Sequence, residues 1–105
     1  MYLESNNQMP LVTREKKTCL ICFDEQTITR EEDTLFAYEA VRVPFPYTYA
    51  IIVAAIIKEK YNDDAREAIV NNHLEENPSE EHEQEFAQLQ AWRSHAKQIA
   101  HQICD

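Results

Sequence analysis

The longest uninterrupted apolar run lies mid-chain, where V-P-F-P-Y-T-Y-A-I-I-V-A-A-I-I-K-E-K-Y spans Val43 to Tyr61 and nothing polar interrupts Tyr49 to Ile57. Such a run is well short of the about 18 residues a membrane span needs, so it reads as core. Ala50, Ala54 and Ala55 favour helix, whereas Ile51, Ile52, Val53, Ile56 and Ile57 are β-branched and favour a buried strand. Length decides for helix once Lys58, Glu59 and Lys60 are appended. Thr48 is its expected N-cap, with Pro44 and Pro46 keeping the approach extended.

Upstream, Thr18-Cys19-Leu20-Ile21-Cys22-Phe23 has a strand's length and β-forming residues. Leu35 to Val43 alternates, with Leu35, Ala37, Val41 and Val43 on one face and Phe36, Tyr38 and Arg42 on the other. The two strands are expected to pair as an antiparallel hairpin. Between them Asp24–Thr34 is polar except for Ile28, and Thr29-Arg30-Glu31-Glu32 matches a capping box, so a short helical turn is expected there. Met1–Gln8 lacks periodic apolar character and reads as a mobile leader. Met9-Pro10-Leu11-Val12 reads as an extended arm packing on the domain.

Downstream, Asn62-Asp63-Asp64 supplies a turn and a cap for a helix over Ala65–Leu74 that places Ile69, Val70, His73 and Leu74 on one side. Asn77-Pro78-Ser79-Glu80 opens the last helix, with Asn77 as the expected cap, Pro78 at the first helical position and Glu80 in the first turn, where acid complements the helix dipole. Phe86, Leu89, Trp92, Ala96, Ile99 and Ile103 then recur at steps of three and four in a single stripe. The pattern predicts one α+β domain over residues 1–105, an N-terminal antiparallel β-hairpin followed by three α-helices.

Charge narrows the partners. With 19 acidic residues against 10 basic and a net charge of -9, broad adhesion to nucleic acid or anionic lipid is disfavoured. An odd number of cysteines, three, and no signal peptide point to a reducing compartment, the cytoplasm. The chain has no glycine, which excludes Gly-rich phosphate loops, the nucleophile elbow and the dinucleotide fingerprint, and leaves Asn and Asp to make the turns.

Cys19 and Cys22 form a C-x-x-C, a metal-ligand spacing that needs two more ligands for a structural zinc. The others on offer, Cys104, His73, His82, His95 and His101, have no knuckle-like spacing. Positions three apart on a regular strand also face opposite ways, so both cysteines read as core thiols, with a zinc module as the alternative. His73, inside an apolar helix face, reads as a core-margin histidine held by one hydrogen bond rather than a base. The helix, Asn/Asp turn and helix across Thr48–Leu74 imitate a DNA-binding helix-turn-helix, but its second helix carries Asp63, Asp64, Glu67 and Glu75 against one Arg66. The basic cluster Arg14, Lys16 and Lys17 reads as a solvated strand entrance, and the glutamates of Glu75–Glu85 as a solvated helix start or an acidic docking surface.

Leu89-Gln90-Ala91-Trp92-Arg93 with Ala96-Lys97 resembles the closing helix of small prophage accessory proteins, including tail-fibre assembly chaperones, in which an Ala-Trp precedes basic residues. The likeness is confined to the C-terminal helix. Those chaperones carry a Tyr-Arg pair soon after the Trp, where this chain has Ser94-His95. The resemblance implies a non-enzymatic assembly or accessory protein and carries over no binding residue. With no catalytic constellation legible, the expected activity is protein contact: an unidentified protein partner, a homodimer, no cofactor and no membrane. A hairpin's open edges and the aromatics Phe36, Tyr38, Phe45, Tyr47 and Trp92 are the candidate surface.

Overall fold

The computed structural model describes every residue, Met1–Asp105. The chain forms β1 (Tyr2–Ser5), β2 (Val12–Glu15), β3 (Thr18–Arg30), β4 (Asp33–Pro44), α1 (Tyr49–Lys60), α2 (Asp63–His73) and α3 (Glu80–Cys104). The strands make one four-stranded antiparallel sheet in the order β1-β4-β3-β2. The fold is therefore α+β, with the expected hairpin as its centre and an edge strand added on each side.

Both edge strands correct the sequence reading. Four residues assigned to a leader form β1, whose register runs Tyr2 to Glu39 through Ser5 to Phe36. Their strand character comes from the free edge of β4, which offers a hydrogen-bond ladder that local apolar pattern does not announce. Because β1 and β2 lie on opposite edges, the segment between them crosses the face of the sheet away from the helices. Met9 packs there on Leu20, Cys22, Tyr38 and Ala40, with Leu3 and Phe36 beside it. The Tyr38 hydroxyl accepts from the Met9 amide (2.8 Å) and donates to Glu25 Oε1 (2.6 Å), and the Gln8 side-chain amide donates to the same carboxylate.

The second correction concerns residues 24–34. No helical turn forms; β3 and β4 run on through this polar stretch and close on the two-residue loop Glu31-Glu32. The capping-box pattern loses to the ladder, since each further cross-strand pair, down to Arg30 with Asp33, satisfies backbone groups that a short helix would leave free. Glu31 takes φ 57°, and Lys16 in the β2–β3 loop takes φ 50°. In a chain without glycine these tight loops are strained, and only two of the four left-handed positions, Asp24 and Asn77, are the Asp or Asn expected there.

The other face of the sheet holds the main core. Cys19, Ile21 and Phe23 of β3 and Val41 and Val43 of β4 pack on Ile52, Ile56 and Ile57 of α1 and Ala96, Ile99 and Ala100 of α3. The Thr48 hydroxyl caps α1 by accepting from the Ile51 amide (3.2 Å), and Asn62 caps α2 by accepting from Ala65 (2.7 Å). At α3 the cap is Ser79, which accepts from His82, because Asn77 turns left-handed at φ 65° instead of taking the extended backbone a cap requires. α1 and α3 run antiparallel: Tyr49 meets His101 (ring centroids 4.7 Å), and the Trp92 indole donates to the Ile56 carbonyl (3.0 Å).

α2 reaches only the N-terminal half of α3. There His73 stacks on Phe86 (centroids 3.7 Å, planes 2° apart) and bonds Glu83 (2.8 Å), the single hydrogen bond expected of a core-margin histidine. No residue of α2 is fully buried, and Leu74, expected on the packed face, is its C-cap and 72% exposed. With this outlying helix and the β3–β4 ribbon extending beyond its neighbours, the molecule measures 51 × 38 × 22 Å. No helix is long and apolar enough to cross a membrane.

Candidate functional site

The sequence candidates separate into distinct places. Cys19 faces the helical core and Cys22 the opposite face, as strand alternation requires, so the C-x-x-C thiols do not converge. Burial pushes the Cys22 thiol above its ordinary value, against the opposing charge of Arg42. Cys104 is exposed at the end of α3, and no three His, Cys, Asp or Glu side chains are grouped to hold a metal ion.

The aromatic candidates do not form one patch. Tyr38 is only 3% exposed beneath the crossing segment, and burial, with its bond to Glu25, pushes its phenol up. Phe36 is half-buried beside it. Phe45 and Tyr47 meet edge-on (6.2 Å, 76°) before α1, and the Arg14 guanidinium lies 3.6 Å over the Phe45 ring. That contact engages one member of the basic cluster, and Lys16 and Lys17 form the β2–β3 loop. Trp92 lies at the other end of α1, about 18 Å away for 12 residues at about 1.5 Å each. On the helix-turn-helix stretch, Arg66 is tied to Asp63 (2.8 Å) and the neighbouring surface carries Asp64 and Glu67.

Sequence reasoning missed a cleft beside Trp92. It encloses ≈ 370 Å³ and is lined by Tyr2, Asp24, Gln26, Glu39, Glu59, Lys60 and Trp92, with Ala37 and Tyr38 beneath. A β-bulge builds it. The β3–β4 register breaks between Phe23 and Gln26, and Asp24 turns left-handed at φ 54°. The bulge swings the ribbon away from the helices and splits its two carboxylates, Asp24 toward His95 (2.6 Å) and Glu25 toward Tyr38 (2.6 Å). α1 supplies Glu59, which pairs with the Met1 ammonium, and Lys60, whose ammonium sits 4.8 Å from the Trp92 ring centroid. Trp92 is held in place by its bond to Ile56 and by its neighbours Phe23 (6.2 Å) and His95 (5.5 Å). At the rim Tyr2 is 59% exposed, and its phenol is pushed up by desolvation and then by the carboxylates of Glu4 and Glu39.

The cleft thus sets the Trp92 ring among carboxylates, a chemistry that favours cations. The only sequence signal for it was Glu39, the one charged residue on the otherwise apolar Leu35-Ala37-Val41-Val43 face of β4. No protein-family model, curated protein or solved structure matches this chain.

Proposed function

We propose that the chain is a non-enzymatic interaction protein of the assembly or accessory kind, working through contacts with other protein chains, a second copy of itself first among them. The observation that carries this reading is the β3–β4 ribbon. β2 pairs only as far as Ile21 and β1 only as far as Phe36, so from Gln26 to Leu35 both ribbon edges lack a neighbouring strand. A two-stranded ribbon is marginal alone, and its half-buried pair Ile28 and Leu35 gains cover when a partner strand adds to an edge.

Two further features support it. The resemblance of the Trp92 segment to the closing helix of tail-fibre assembly chaperones points to the same class. Three free thiols suit the reducing cytoplasm, where such a protein would work. Light scattering during size exclusion at about tens of micromolar tests the reading, since net charge repels only within a Debye length of about 8 Å at ~0.15 M salt. A dimer mass that Thr27→Lys with Thr29→Lys converts to monomer, with circular dichroism unchanged, is the expected result. A monomer mass that persists when salt is raised defeats self-association through the ribbon.

A further inference from the structure

The cleft beside Trp92 lies at the root of that ribbon, with Asp24 and Gln26 of β3 in its wall. Two independent features say what it takes. Its charge is one: the lining carries three carboxylates, Asp24, Glu39 and Glu59, and one basic side chain, Lys60. Asp24 is engaged by His95 and Glu59 by the Met1 ammonium, which leaves the half-buried Glu39 carboxylate with no ion pair. The second is the ring of Trp92, which already carries an ammonium. Lys60 lies within the ~6 Å reach of a cation–π contact, forms no salt bridge, and is held only by the Trp92 ring and, more distantly, the Tyr61 ring (5.9 Å). The volume falls within the about 300–1,000 Å³ of binding clefts.

We propose that this cleft receives a basic side chain, an arginine or lysine presented by a protein partner, which replaces Lys60 over Trp92 and pairs with Glu39. Arginine is the better occupant, because its planar guanidinium stacks on the indole while its N–H groups reach a carboxylate. Lys60 is then an intramolecular competitor: a flexible chain at the end of α1 that leaves when a cation of better geometry arrives. The proposal gives a chemistry to the partner of the interaction reading and rests on that reading.

Trp92 is the chain's single tryptophan, so its emission reports on the cleft directly. The probe is the peptide acetyl-Ala-Arg-Ala-amide, titrated into the full chain at constant ionic strength, with acetyl-Ala-Glu-Ala-amide as control. The expected result is a saturable change with the arginine peptide, at about millimolar concentrations for so small a ligand, and none with the glutamate peptide. Lys60→Met should tighten binding and Glu39→Gln weaken it, each by about threefold, as for charge pairs at a partly exposed site. Glu81→Gln makes the same change in net charge on the first turn of α3, away from the cleft, and should leave binding as it was.

Equal weakening by Glu81→Gln and Glu39→Gln would mean attraction to the acidic molecule as a whole and would overturn the site. So would an equal response to the glutamate peptide, or no saturation by about 50 mM, far above the millimolar range of small-ligand binding. The peptide binds whether or not the chain dimerises. A dimer that ignores the peptide defeats this proposal alone, and a monomer that binds it defeats only self-association through the ribbon.

Discussion

Replacing Ile56 by Ala, and separately Ile51 by Ala, makes one chemical change at two sites five residues apart on α1. Ile56 is 0% exposed between the sheet and α3, whereas Ile51 is 36% exposed on the outer side of the helix. Removing a buried isoleucine to the β-carbon costs about 2–5 kcal/mol in transfer and cavity terms. Alanine's better helix propensity returns about 0.4 kcal/mol at either site. Ile56→Ala should therefore lose about 2–4 kcal/mol, a large share of the about 5–15 available to a domain of this size, and lower Tm by about 10–25 °C. Ile51→Ala should lie within about 0.5 kcal/mol of wild type, as exposed substitutions do. Urea unfolding followed by circular dichroism and by Trp92 emission gives both midpoints. The Trp92 signal also shows whether α3 stays docked, since its indole donates to the carbonyl of residue 56, which the substitution retains. Equal midpoint shifts in the two variants would refute the placement of α1. Ile52→Asp or Ile56→Asp should go further and unfold the domain, by leaving a carboxylate unpaired in the core.

Tyr38→Phe keeps the ring but removes the oxygen joining Met9 to Glu25. Hydrogen exchange at the Met9 amide should accelerate; unchanged protection would mean that the crossing segment is held by other contacts. Because the folded chain holds the Cys22 thiol and Tyr38 phenol above 9.0 and 10.0, their contribution is complete below those values and is lost as pH rises through the raised folded ones. Urea midpoints should therefore fall on the alkaline side, less steeply in Tyr38→Phe, and a flat profile to about pH 11, beyond the ordinary phenol value, would contradict this. Glu31→Asn places a residue that tolerates φ 57° in the ribbon loop and should stabilise by about 0.5–1 kcal/mol, with an unchanged or lower urea midpoint as the contrary result. Cys19→Ala with Cys22→Ala should cost about 1–3 kcal/mol through lost packing on the two faces. Stoichiometric zinc in the wild type that disappears in this double variant would reverse the reading of both thiols as core.

What the sequence determined by itself was whatever a short window encodes. The apolar run and Thr48 specify α1, Asn62 specifies the start of α2, and the stripe from Phe86 to Ile103 specifies the buried side of α3. Strand alternation likewise sent Cys19 and Cys22 to opposite faces. Local pattern suffices there because capping and amphipathicity act within a turn or two of chain. Tertiary structure decided the rest. Tyr2–Ser5 becomes a strand only because β4 offers a free edge, and the polar residues 26–34 extend only because each strand completes the other's ladder. Leu74 lies outside because α3 carries α2 clear of the sheet, and Ser79 displaced Asn77 as cap once the preceding turn took left-handed backbone. The cleft is the extreme case. Tyr2, Asp24, Glu39, Lys60 and Trp92 come from five different elements, and the local sequence around each announces no site. Their common chemistry arises from a bulge opposite Tyr38 and the antiparallel packing of α1 on α3, long-range geometry that no local window encodes.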